Sequence, residues 1–261
     1  VFGAGSGLEV SGVTGGWTLG ARQRLAGEVE IVGNATMLGR VIPGMSAGTI
    51  TWSNDATFNN ATLDLELARV GTVGGGANDL LEIVGEATFS GVSTVNVFAL
   101  DNEFSAPRYA LATNVGARTG GAANLRLNVG ILTNSRYGFA LNDSDPNAVW
   151  LDVSGANKTL DWVGGPASVF WNVRGGTNNF KEGATAATFW QADHVRFGTQ
   201  AYLSMSTNRY SVTISEPVAP ASVTIEGGRA YTFTNTIAGA RITGGATLIK
   251  LGGAPAFMGA A

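Results

Sequence analysis

The chain has 261 residues and a net charge of −3, and only 13% of it is charged, against about 25% in an average soluble domain. Its 44% apolar content excludes a disordered tail. The absence of cysteine excludes disulfides, thiol catalysis, iron–sulfur clusters and cysteine-ligated zinc. With a pI of about 5.2 and no basic stripe, nothing matches a row of phosphates, so nucleic acid is not an expected partner.

Val1 opens the chain in place of Met, and no charged n-region with an apolar h-region follows it. The sequence therefore reads as a processed or excised piece of a longer product. From there on, 38 glycines punctuate short runs in which apolar and polar residues alternate. Thr62-Leu63-Asp64-Leu65-Glu66-Leu67, Ser93-Thr94-Val95-Asn96-Val97-Phe98 and Ser211-Val212-Thr213-Ile214 are examples. A period of two marks a strand with one wet face. Strands are predicted near 17–19, 28–32, 36–41, 48–52, 56–58, 62–68, 80–84, 86–89, 93–98, 108–112, 124–128, 136–141 and 149–153. A second set is predicted near 159–162, 194–197, 200–205, 210–214, 221–225, 230–233 and 246–251. Gly, Asn and Asp supply the turns. The stretch Gly183 to Asp193 suits one short helical turn or a loop. No run approaches the roughly 18 apolar residues that a membrane-spanning helix needs.

Similar phrases recur: Gly33-Asn34-Ala35-Thr36-Met37, Gly85-Glu86-Ala87-Thr88-Phe89 and Gly245-Ala246-Thr247-Leu248. Each sets a glycine ahead of a strand that begins with a small residue and Thr, a pattern expected of stacked repeats. At roughly 20 residues per coil the chain would make about a dozen coils. The fold class is accordingly all-β, a right-handed parallel β-helix (β-solenoid). After residues 154–160, Trp162, Phe170, Trp171, Phe180, Phe189, Trp190 and Phe197 crowd into a short span. The division expected is 1–158 as one solenoid module and 159–261 as a second, with an aromatic-rich loop insertion at 162–197.

Three groups of residues carry a family likeness. The first is Gly27-Glu28-Val29-Glu30-Ile31-Val32-Gly33-Asn34 with Pro43-Gly44-Met45-Ser46-Ala47-Gly48-Thr49-Ile50. The second is Leu63-Asp64-Leu65-Glu66-Leu67 with Asn78-Asp79-Leu80-Leu81-Glu82-Ile83-Val84-Gly85. The third comprises Trp162, Trp171, Asn179-Phe180, Asp193, Val195 and Phe197, closed by Tyr231-Thr232-Phe233, Ile237, Gly239, Leu248, Lys250 and Gly252. Together they resemble bacterial surface proteins of the autotransporter-associated β-strand repeat type. That resemblance implies a right-handed parallel β-helix like an autotransporter passenger, secreted, extended, and adhesive or structural. The family's strand, Lys-x-Gly, strand repeat is clear only at Leu248-Ile249-Lys250-Leu251-Gly252-Gly253.

Candidate sites each have a functional and a structural reading. Asp64 and Glu66, two apart, leave the same strand face. They suit either calcium or acid–base work on acidic glycans, or the solvated face of a strand whose Leu63, Leu65 and Leu67 point inward. Asn142-Asp143-Ser144-Asp145-Pro146-Asn147 is an oxygen-rich loop, either a calcium site without the EF-hand glycine and glutamate, or an ordinary turn. Asp193-His194 is the one place for histidine chemistry. Adjacent strand residues point to opposite faces, so a triad would need a third residue brought in by folding. Gly74-Gly75-Gly76 lacks the Lys-Ser/Thr of a phosphate loop and reads as a flexible turn. Trp162, Trp171 and Trp190 either stack on sugar rings or pack a loop, and the stretch from Gly175 to Gln191 is long enough for a functional loop.

The function expected is a non-catalytic extracellular structural protein, a subunit or segment of a surface fibre, sheath or adhesin, with no cofactor and no metal. The small, apolar ends carry Val1 and Phe2 at one side and Phe257 and Met258 at the other. They suit continuation into more repeats or head-to-tail self-association. The competing expectations are a carbohydrate-binding adhesin and a polysaccharide-acting β-helix enzyme.

Overall fold

The phrase Ala-Thr followed by a large apolar residue explains much of the architecture. Ala35, Ala56 and Ala87 are successive partners on parallel strands, as are Thr36, Thr57 and Thr88, and Met37, Phe58 and Phe89. The alanines and the large residues are buried and the threonines face outward. Alternation along the strand sets the face, and repetition across strands sets the column.

The computed structural model describes residues 1–164, 169–175, 179–198, 210–228, 230–235, 237–253 and 256–258. It is all-β with mostly parallel strands. The chain divides into two compact units. One comprises Val1–Leu100, Phe104–Gly130 and Gly138–Ser154, the other Asp101–Glu103, Ile131–Tyr137 and Gly155–Ala261.

The first unit holds β1 (Phe2–Glu9), β2 (Trp17–Leu19), β3 (Arg24–Val32), β4 (Ala35–Met37), β5 (Arg40–Pro43), β6 (Thr49–Trp52), β7 (Ala56–Asn59) and β8 (Thr62–Leu67). It continues with β9 (Leu80–Ile83), β10 (Ala87–Ser90), β11 (Ser93–Ala99), β12 (Arg108–Asn114), β13 (Arg118–Thr119), β14 (Leu125–Asn128), β15 (Gly138–Asn142) and β16 (Ala148–Ser154). The parallel pairs form three rows. The first runs β1, the later half of β3, β6, β9 and β12. The second runs β2, β4, β7, β10 and β13. The third runs the early half of β3, β5, β8, β11 and β14. Beyond β12 the first row turns antiparallel through β16 and β15.

Val29, Ile50, Leu81 and Ala112 are successive partners in the first row, so the chain returns after 21, 31 and 31 residues. The spacing expected from sequence was shorter. The difference is the longer connections, such as residues 68–79 between β8 and β9. Between the first and second rows the turns stack backbone on backbone. Gly33 has φ +121°, and a Cβ there would lie 2.6 Å from the Ser11 nitrogen. In the same column a Cβ on Gly116 would lie 2.6 Å from the Gly85 carbonyl oxygen. Close approach of this kind leaves room only for glycine. The core between the rows joins Ile31, Ile50, Trp52, Phe58, Leu63 and Leu65. Phe58 stacks on Phe89 at 5.3 Å between ring centroids and meets Trp52 edge-on.

The second unit holds β17 (Thr159–Trp162), β18 (Phe170–Trp171), β19 (Phe180–Glu182), β20 (Thr185–Ala187), β21 (His194–Phe197), β22 (Ser211–Ile214), β23 (Ser222–Ile225), β24 (Tyr231–Asn235), β25 (Thr247–Lys250) and β26 (Ala256–Met258). One row runs β17, β21, β23, β25, and a second runs β18, β22, β24, β26, all parallel. Antiparallel β19 and β20 extend the first of these. Gly183 to Ala187, where a helical turn or loop was expected, forms a tight turn and strand β20, because β19 offers it a pairing edge. The predicted strand 200–205 lies outside the described residues.

Candidate functional site

The outer faces of the first unit carry polar side chains that bond along the stack. Asp64 and Glu66 leave one face of β8, as their spacing requires, while Leu63, Leu65 and Leu67 are buried. Yet Asp64 is only 4% exposed. Arg40, one strand below, donates to its Oδ2 and forms an ion pair. Asn96, its partner one strand above, donates to Oδ1 at 2.7 Å, and Asn128 donates to Asn96 at 2.8 Å. The first row repeats the device: Thr51 donates to Glu82 at 2.9 Å, and Ser53 donates to Glu30. Beside them lies a shallow groove of about 470 Å³, lined among others by Ser6, Glu28, Glu30, Thr49 and Gly75. It presents acceptors and hydroxyls without a histidine or an aromatic platform.

The oxygen-rich loop is likewise bound within the fold. Asn142 Oδ1 accepts from the Ser144 amide at 2.9 Å, and Asp145 Oδ1 accepts from the Asn147 amide at 2.9 Å. Asp143 Oδ2 accepts from the Ala122 amide at 2.8 Å. These are turn-making bonds of short polar side chains. Among the described residues no group of three or more His, Cys, Asp or Glu side chains is placed to hold a metal. Gly74-Gly75-Gly76 lies in the 68–79 connection, with positive φ at each glycine. That connection is tied down by buried Asn78 and Asp79. Asn78 donates to the Val70 and Thr72 carbonyls and accepts from the Ala68 amide. Asp79 accepts from the Gly48 and Glu66 amides, each at 2.7 Å. Burial pushes the Asp79 carboxyl up to about 7 in spite of those two bonds, with the nearby Glu66 charge adding to the rise.

Trp162 and Trp171 are not available to a sugar. Both are 0% exposed and lie in the core of the second unit with Phe180, Phe189, Phe197 and Tyr231. Trp162 sits two residues from Leu160 on the inward face of β17, and its ring meets Phe180 at 5.1 Å. Five of the seven crowded aromatics, all but Phe170 and Trp190, are thus core packing, which corrects the glycan-contact reading of Trp162 and Trp171. Trp190 is half-buried. The guanidinium carbons of Arg174 and Arg136 lie 4.5 and 5.3 Å from its ring centre, so cations occupy the surface a pyranose would need.

Asp193 and His194 point to opposite sides, as expected of neighbours at a strand start. Asp193 is 0% exposed and accepts from Arg136 Nε and Nη2 and from the Lys158 and Trp190 amides. It anchors the second unit. His194 faces outward and meets residues from three other segments. Its Nδ1 lies 2.8 Å from Ser222 Oγ, its Nε2 3.2 Å from Asn157 Nδ2, and Glu103 Oε1 is 3.6 Å from Nε2. Sequence reading missed Ser222, Glu103, Arg136 and Asp79. Ser222 was findable in principle, since it opens a strand of the same apolar phase as His194, and register alone makes them neighbours.

Val1 is exposed, and Phe2 begins β1, pairing with Gly27. Phe257 and Met258 belong to β26, partnered with Thr232 and Phe233, and their side chains lie outside the described residues. Among the described residues no helix is long and apolar enough to cross a membrane. The chain matches no protein-family model, no curated protein and no solved structure.

Proposed function

We propose that the chain is a segment of an extracellular structural protein, a right-handed β-solenoid that serves as a rigid, non-catalytic part of a surface fibre, sheath or adhesin. The parallel rows are then the faces of successive coils. The observation that carries this reading is the linkage of outer polar groups from strand to strand: Arg40 to Asp64, Asp64 to Asn96, Asn96 to Asn128. Such ladders stiffen a stack, and they leave the carboxylates engaged with neighbours rather than converged on a substrate.

Extension has support at β25. Leu248 occupies the same inward column as Leu160, Val195 and Val223, yet it is 59% exposed, and among the described residues β25 is the last strand of its row. Another strand laid against β25 would cover that column and pair its open edge. In this reading the occupant is a second copy of the chain, joined head to tail. Electron microscopy and sedimentation velocity of the purified chain test it. Filaments or discrete oligomers that dissociate on Leu248→Lys are the expected result. Monomers at high concentration would overturn self-association. Release of reducing sugar from acidic glycans would overturn the non-catalytic reading. Glycan-array binding lost on Trp190→Ala would favour an adhesin.

A further inference from the structure

We propose that Ser222 is an activated nucleophile, with His194 as its base, and that it accepts an acyl group from an activated ester. This lies beyond a structural role, since it makes one outer position of the second unit a site of covalent modification.

His194 is the single histidine in the chain, so one imidazole is available as a base, and it is paired with a serine. His194 and Ser222 are direct partners on parallel strands β21 and β23, a register that holds both side chains on the outer face. The 2.8 Å between Nδ1 and Oγ is a full hydrogen bond. Both groups are reachable from solvent: the His194 side chain is 29% exposed and Ser222 is partly exposed. The Glu103 carboxylate lies on the Nε2 side. A negative charge there favours the tautomer with its proton on Nε2, which leaves Nδ1 to accept from the Ser222 hydroxyl. The Asn157 side chain, whose Nδ2 lies 3.2 Å from Nε2, must then present its amide oxygen there instead. Glu103 is thus a positioning residue, while Ser222 and His194 touch the reacting atoms.

In the reaction Ser222 Oγ attacks the carbonyl carbon of the ester, and its proton passes to His194 Nδ1. The bond from that carbon to the leaving oxygen breaks, and the leaving alkoxide or phenoxide takes the proton from the imidazolium. The products are an acylated Ser222 and an alcohol or phenol. The backbone amides beside the serine are engaged: Ala221 donates to the Asp193 carbonyl and Thr247 to the Ala221 carbonyl. Arg196, two residues from His194 on the same face, is held by Asp161 at 2.7 and 2.9 Å. With the Ala221 and Thr247 amides committed to the sheet rather than to a tetrahedral oxyanion, the donor is taken to carry a good leaving group, and the acyl-serine is expected to accumulate instead of turning over.

The test is treatment of the whole chain with p-nitrophenyl acetate, followed by peptide mass spectrometry. Ser211, an exposed strand serine without a histidine partner, is the internal reference. General-base assistance is worth about a hundredfold or more. The expected result is acetylation of Ser222 about a hundred times faster than Ser211. In His194→Gln the rate at Ser222 falls to that of Ser211, and Ser222→Ala leaves no fast site. Glu103→Ala slows the reaction, and Glu103→Asp restores part of it. Equal rates at Ser222 and Ser211 in the unaltered chain would overturn the proposal without recourse to any variant. Retention of the fast rate in His194→Gln would overturn it as well.

Discussion

The Asp79 carboxyl makes a prediction whose sign separates two opposing forces. The side chain is 0% exposed, and it joins the 68–79 connection to Gly48 and Glu66 through two amide bonds. Bonds of that kind favour the carboxylate, whereas burial favours the neutral acid, and burial dominates here, raising the group from 3.8 to about 7. A carboxyl with a raised folded-state value contributes stability that is full below its unfolded value near 3.8 and is lost as pH rises through about 7. A rise of about three units is worth about 4 kcal/mol at 1.36 kcal/mol per unit. Between pH 5 and pH 8 the unaltered chain therefore loses roughly 2–3 kcal/mol that Asp79→Asn, which cannot ionise, does not lose. Urea unfolding of both proteins at four pH values, followed by circular dichroism, measures the difference. Parallel profiles would show that Asp79 keeps one protonation state through folding. A gap that widens in favour of the unaltered chain only as pH rises from about 2 to 4, with parallel profiles above about pH 5, would show that the two amides win over burial.

The Arg136→Ala substitution leaves fully buried Asp193 without its guanidinium, and urea unfolding of the variant should show a loss of about 3–5 kcal/mol; a loss under 1 kcal/mol would mean that the Lys158 and Trp190 amides suffice. Gly33→Ala forces a Cβ into a φ of +121° and against the Ser11 backbone, so its thermal unfolding should reveal at least about 2 kcal/mol of destabilisation. In the first row Thr51 separates Glu30 from Glu82, and Thr51→Glu would stack three acids. The expected cost is on the order of 1–2 kcal/mol at low salt, largely relieved at 1 M salt; an unchanged unfolding midpoint in both buffers would count against charge spacing as a constraint.

Strand positions were legible where alternation and turn chemistry agreed. The Thr62–Leu67 run shows its inward leucines directly, and the shared phrase at Gly33 and Gly85 corresponds to stacked turns that meet backbone to backbone. By contrast β1 (Phe2–Glu9) carries three glycines and little periodicity, and it is a strand because the later half of β3 offers it a pairing edge. The aromatic cluster was visible, but whether rings line a surface or fill a core depends on what packs above them. Local sequence does not contain that for Trp162 and Trp171. The surroundings of His194 were hidden for a related reason: Ser222 arrives through register 28 residues later and Glu103 from a segment 91 residues earlier. Asn78-Asp79 reads as an ordinary turn pair, and only the closure of the connection over Gly48 and Glu66 buries it.

Register also accounts for the low charge content better than any habitat does. In parallel rows each residue has the equivalent residue of the next strand as its neighbour, about 4.8 Å away. A repeated charge would become a column of like charges, each contact costing close to 1 kcal/mol even in high dielectric. Accordingly Glu30 and Glu82 both adjoin Thr51, and Asp64 adjoins Asn96. Arg196 adjoins Asp161, Asp161 adjoins Lys181, and Arg108 adjoins Asp152. Arg24 and Arg40 are the exception, and there Arg40 is drawn toward Asp64 on its other side. Neutral amides and hydroxyls escape the penalty because each can donate to the next and accept from the one before. A chain folded this way keeps its outer face wet with Asn, Thr and Ser, and it admits charge where the adjacent strand on one side or the other supplies an opposite or neutral partner.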